Sequence, residues 1–69
     1  MSGTRHSDPE GEVLLEFQRI GAAVKVTAID PVTQVEVSIV GPASASQAVL
    51  SHNAINKLRY VLKRRGQGR

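Results

Sequence analysis

The sequence predicts an α+β domain, a three-stranded antiparallel β-meander packed against one C-terminal α-helix in the order β-β-β-α. Two observations carry that reading. Apolar residues alternate with polar ones three times, through Val13, Leu15 and Phe17, then Val24, Val26 and Ala28, then Val35, Val37 and Ile39. This is the period of a strand with one buried face. After Gly41-Pro42 the spacing changes to three-and-four, through Ile55, Leu58 and Leu62, the period of an amphipathic helix.

Taken in order, residues 1–11 are small and polar, are broken by Pro9 and Gly11, and read as a disordered lead. A single domain is expected over residues 12–65. Its first strand runs from Glu12 to Ile20 and ends in a turn at Gly21-Ala22-Ala23, where Gly21 tolerates positive φ. The short connection pairs Phe17 with Val26 and Leu15 with Ala28. The second strand covers Val24 to Asp30. Asp30-Pro31-Val32-Thr33 suits a type I turn, with Asp in the first position and Pro fixing φ in the second. Gln34 then falls where φ > 0 is expected and Gly or Asn would sit more easily. This turn pairs Ala28 with Val37 and Val26 with Ile39. Both hairpins, registered independently, place Val26 between Phe17 and Ile39, which makes the second strand central.

Gly41-Pro42 closes the third strand, and Ser44-Ala45-Ser46-Gln47 matches a capping box. The helix is expected to reach Arg64 or Arg65 and to stop at Gly66. Its apolar face should hold Ala48, Leu50, Ala54, Ile55, Leu58, Val61 and Leu62, with His52, Asn53, Asn56, Arg59, Tyr60 and Lys63 outside it. Residues 66–69 read as a flexible basic tail.

Composition narrows the function. In a chain of 69 residues there is room for one small core, and such domains are thinly stable. Without any cysteine, neither disulfides nor a thiolate zinc site can supplement that core. No apolar run approaches a membrane span and the N-terminus lacks a hydrophobic signal region, so a cytoplasmic location is expected. The net charge is +3 but lopsided: residues 1–36 hold all six acids and three bases, residues 37–69 six bases and no acid. This polarity suits an anionic partner for the C-terminal part, or simply complements the negative end of the helix dipole.

No constellation in the sequence carries catalysis, and the protein is expected not to be an enzyme. His52 and Ser51 are neighbours on a helix and point about 100° apart, which is unsuitable for a nucleophile–base pair. Glu16 and Glu36 share the open sheet face but are separated by Thr27 and Ser38. His6, Asp8, Glu10 and Glu12 alternate in the lead, where a metal cage would lack fixed spacing. The segment before the helix, Gly41 to Ser46, lacks the Gly-Lys-Ser/Thr ending of a phosphate loop. No cofactor, metal or small-molecule substrate is therefore expected.

Two surfaces remain. The open sheet face brings together Leu14, Ile20, Ile29 and Val40 among Glu16, Gln18, Lys25, Thr27, Glu36 and Ser38. It reads as a protein-interaction surface, with Leu14, Ile29 and Val40 as anchors and Glu16, Lys25 and Glu36 supplying polar specificity. The outer strands offer edges for strand addition, and a protein partner or a weak homo-oligomer is the expectation. The alternative is nucleic acid, bound through Lys57, Arg59, Lys63, Arg64 and Arg65. A three-stranded sheet with a following helix is also the latter part of a double-stranded-RNA-binding domain. That family's lysines sit at the start of the helix, whereas here the helix starts Ser-Gln-Ala-Val.

Four segments carry a family resemblance: Glu16-Phe17-Gln18-Arg19-Ile20-Gly21, Val24-Lys25-Val26-Thr27-Ala28-Ile29-Asp30-Pro31-Val32-Thr33, Glu36-Val37-Ser38-Ile39-Val40-Gly41-Pro42 and Lys57-Leu58-Arg59-Tyr60-Val61-Leu62. Through these, Gly11 to Leu62 resembles a family of small bacterial proteins with a domain of unknown function. That family usually has Gly after the Asp-Pro-x-Thr turn, where this chain has Gln34. The resemblance agrees with the fold and implies no catalytic residue, cofactor or partner.

Overall fold

In a computed structural model, which describes residues 4–7 and 13–67 with side chains for 13–66, the predicted meander and helix are present and one further strand joins them. The elements are β1 (Thr4–Ser7), β2 (Leu14–Ile20), β3 (Ala23–Ile29), β4 (Glu36–Pro42) and α1 (Gln47–Gln67). They form one antiparallel sheet in chain order with the helix on one face. The expectation of a disordered lead fails at β1, which pairs Thr4 with Phe17 and Ser7 with Leu14. An edge strand presents unpaired N–H and C=O groups, and even four residues of backbone can satisfy them. The rest of the lead and the last two residues of the tail lie outside the described residues.

Both predicted hairpin registers hold. Phe17 faces Val26 and Leu15 faces Ala28 across β2 and β3; Val26 faces Ile39 and Ala28 faces Val37 across β3 and β4. The first turn is two residues long, with Gly21 at φ 60°, as a type II′ hairpin requires at its first central position. In the second turn, Asp30 O accepts from Gln34 N at 2.7 Å and Asp30 N donates to Val35 O at 2.9 Å. Gln34 takes φ 66°, the single positive value among the described non-glycine residues, so the turn does carry the strain its sequence implied. Asp30 compensates. One carboxylate oxygen accepts from the Thr33 hydroxyl at 2.6 Å and from the Thr33 amide at 3.1 Å.

The core consists of Val13, Leu15, Phe17, Val26 and Ala28 from the sheet and Leu50, Ala54 and Leu58 from the helix. Val24, Val35, Val37, Ile39, Ile55 and Leu62 pack around it. Leu58 and Val26 are fully enclosed. Ala48, expected on the apolar face, is exposed. At the same end of the stripe, the helix sits close to β4: a Cβ on Gly41 would lie 2.5 Å from Leu50 Cδ2.

Three expectations about the helix are corrected. Ser46, not Ser44, is the N-cap, its hydroxyl accepting from Val49 N at 3.1 Å. Ser44 is taken up in a turn that Ala45 N closes on Pro42 O at 3.0 Å, and with Val49 at the third helical position the reciprocal half of a capping box is missing. The helix also runs through Gly66 to Gln67. Gly66 is not among the glycines with positive φ, so it makes no left-handed stop.

Two predictions follow from these contacts. Gly41→Ala should cost about 1–3 kcal/mol, as overpacked cores do, read from chemical denaturation. Combining it with Leu50→Ala should cost less than the sum of the two single changes, because the clash is removed with the leucine side chain. For Asp30, the Thr33 hydroxyl first and the Thr33 amide second hold the carboxyl below its ordinary 3.8. A depressed acid stabilises the folded state above its unfolded pKa, and that contribution is lost as pH falls through the folded value. Thr33→Val should therefore move the Asp30 midpoint up toward 3.8 in an NMR titration and flatten the acid limb of the melting curve.

Candidate functional site

The open sheet face is set by strand parity. Odd residues of β2 and even residues of β3 enter the core, so their neighbours point away from the helix. The registers then order this face into four rows from end to end. Leu14, Ile29 and Glu36 form the first, Glu16, Thr27 and Ser38 the second, Gln18, Lys25 and Val40 the third, and Ile20, Ala23 and Pro42 the fourth. All six predicted interaction residues lie on this face, but they do not form one patch. Leu14 and Ile29 are directly paired at one end and half-buried. Val40 stands near the other end with Ile20, and these two are 67% and 52% exposed. Between them the Thr27 and Ser38 hydroxyls share a hydrogen bond of 2.9 Å. Glu36 flanks the first row at the outer strand, and Arg5 of β1 stands opposite Glu16 in register. Pro42 was absent from the sequence reading of this face. Its place beside Ala23 and Ile20 depended on β4 continuing through the Gly-Pro pair.

The edges are more guarded than the sequence suggested. The first predicted strand, β2, is not an edge, because β1 covers it. On β4, the paired ends Asp30–Val35 and Ala22–Ala43 place Val37, Ile39 and Gly41 in hydrogen bonding with β3, and turn the polar groups of Glu36, Ser38 and Val40 outward. The outward Ser38 carbonyl accepts from Lys57 Nζ at 3.1 Å, and Pro42 has no N–H to offer. A lysine and a proline are the usual means of blunting an edge.

The predicted cationic residues are spread along α1 rather than gathered. Lys57 is held at β4. The Arg64 guanidinium lies 5.7 Å from the Tyr60 ring centroid, and its Nη1 donates to Tyr60 Oη at 3.3 Å. Arg59 also has an interaction within the chain. Lys63 and Arg65 are exposed in the final turns. A 21-residue helix is about 31 Å long, whereas a seven-residue strand spans about 23 Å. The basic end therefore extends past the sheet.

On the helix side, Phe17, Arg19, Val24, Ala43, Ala45, Gln47 and Leu50 line a shallow groove of about 280 Å³. Arg19 Nε donates to Gly21 O at 2.6 Å, so the guanidinium is turned back to its own hairpin. His52 is exposed on the far side of the helix. Among the described residues no group of three or more His, Asp or Glu side chains is placed to hold a metal ion, and no helix is long and apolar enough to cross a membrane.

Over residues 10–65 the chain matches a family model described as Domain of unknown function (DUF6898). No curated protein and no solved structure matches it.

Removing the Lys57 amino group tests the guarded edge. Lys57→Met should change stability by less than about 1 kcal/mol, as expected for an exposed hydrogen bond. It should also increase light scattering at high concentration, because the Ser38 carbonyl becomes available to another strand.

Proposed function

The chain belongs to the DUF6898 family, a family of unknown function, and on that premise we propose that the domain is a non-enzymatic module that binds a protein partner through the open face of its sheet. The observation that carries this reading is the placement of Ile20 and Val40. Two of the five large exposed hydrophobic residues of the described chain stand at one end of one sheet face, beside Ala23 and Pro42. Their opposite number is the Leu14–Ile29 pair at the far end. Lys25, Glu16 and Glu36 supply charges between and beside these ends, which would give such a surface its selectivity. The guarded edge favours the face over strand addition as the mode of contact. A nucleic-acid role has less support, because Lys57, Arg59 and Arg64 are engaged within the chain. A cytoplasmic location belongs to this proposal as well.

The test is a comparison of immobilised wild type with an Ile20→Asp/Val40→Lys variant in extract from the source cells. Both positions are exposed, so circular dichroism and melting should change little, by about 0.5 kcal/mol per site. Proteins retained by wild type should be lost by the variant. A folded variant that retains the same proteins would sink the reading. Retention of RNA that disappears at high salt would instead favour the basic helix end.

A further inference from the structure

We infer that the partner of the open sheet face is a second copy of this chain, packed face to face across a two-fold axis between the second and third rows; this rests on the protein-binding reading above. The row order is what points there. Along β2 and β3 the face runs apolar, polar, polar, apolar, through Leu14 and Ile29, Glu16 and Thr27, Gln18 and Lys25, and Ile20 and Ala23, with Glu36 and Val40 beside them on β4. That order reads the same in both directions. A two-fold axis lying in the plane between two sheets, perpendicular to the strands, reverses the strands and leaves their lateral order unchanged. It sets Leu14 over Ile20 of the second copy and Ile29 over Ala23 of the second copy, so each apolar end covers the other.

The charges agree with the same operation. Glu16 lies in the second row and Lys25 in the third, on adjacent strands. The axis brings Glu16 of one copy diagonally across from Lys25 of the other, and it does so twice. Glu16 already interacts within its own chain, but a carboxylate has lone pairs for several donors. An alternative axis parallel to the strands and through β3 would set Lys25 against Lys25 and leave Glu16 facing Ser38 of the second copy, with no ion pair formed. Sheets packed this way sit about 10 Å apart, within reach of two long side chains.

The size of the face sets the strength. Three seven-residue strands cover about 23 by 14 Å, roughly 330 Å², well below the ~800 Å² per partner of standard interfaces. The pair is therefore weak and forms at high concentration.

The experiment is NMR of the full chain from about 10 μM to 1 mM. The chain has no cysteine, so Ala22→Cys, exposed in the first turn and outside the four rows, carries one nitroxide, and this copy is mixed with unlabelled, ¹⁵N-enriched wild type. Concentration-dependent shifts in the four rows are expected, with broadening strongest at Leu14 and Ile29 of the ¹⁵N copy. Glu16→Lys and Lys25→Glu should each weaken association roughly tenfold, and the Glu16→Lys/Lys25→Glu double variant should recover it. Should Glu16→Lys fail to fold beside Arg5, the nitroxide result decides alone. A monomer at 1 mM, or broadening centred on β4's outer edge or on α1, overturns the inference. The wider protein-binding reading is judged separately, by whether Ile20→Asp/Val40→Lys loses what wild type retains from extract.

Discussion

The arrangement of this domain depends on one close approach, the seat of Leu50 against the bare backbone of Gly41. With Cδ2 of Leu50 only 2.5 Å from where a Cβ would be, a side chain at this position would force Leu50 out of its seat. A second fastening lies seven residues on, where Lys57 reaches the Ser38 carbonyl. Seven helical residues rise about 10.5 Å, and the three residues from Gly41 back to Ser38 span about 10 Å of strand. The matched lengths mean that helix and strand run antiparallel in step. The buried stripe of Leu50, Ala54 and Leu58 is thereby laid over Val26 and Ala28.

That placement produces the remaining features of the surface. Because α1 lies over β3 and β4, Lys57 falls at the outer edge of the sheet and closes part of it. The same helix outruns the sheet, so its last basic turns project into solvent. One helix can cover only one face of a sheet, and the opposite face keeps whatever side chains the strand period sends there.

Most of this was legible locally. The registers could be read because the side-chain period of two and the short turns each fix the pairing, and Val26 had to satisfy both. The positive φ of Gln34 was legible from its place after Asp-Pro-x-Thr. The start of the helix was not, since Ser44 and Ser46 are both suitable caps and the choice falls to the turn closed by Ala45 on Pro42. Gly66 misled for a related reason: a glycine stops a helix only when it turns left-handed, and composition does not specify that. The β1 strand and the Lys57–Ser38 contact were hidden because each joins segments that no short-range pattern connects. The six residues expected to make the interaction do share one face, and the two registers divide them between its ends; what the sequence hid was Pro42 beside Ala23.

The division matters more than the number of exposed aliphatics. A single apolar patch at one end of a sheet fits many partners, and its shape says little about which. Apolar ends separated along β2 and β3 by Glu16 and then Lys25 impose a distance and a sense on whatever covers them. The spacing between the ends is six residues of strand, about 20 Å, so a partner must present apolar groups at that separation with a cation and an anion in reversed order between them. The chain meets those conditions with its own sheet, using the same residues twice. Self-pairing therefore needs no complementarity beyond what the two hairpin registers already impose, whereas any other partner would have to reproduce the pattern independently.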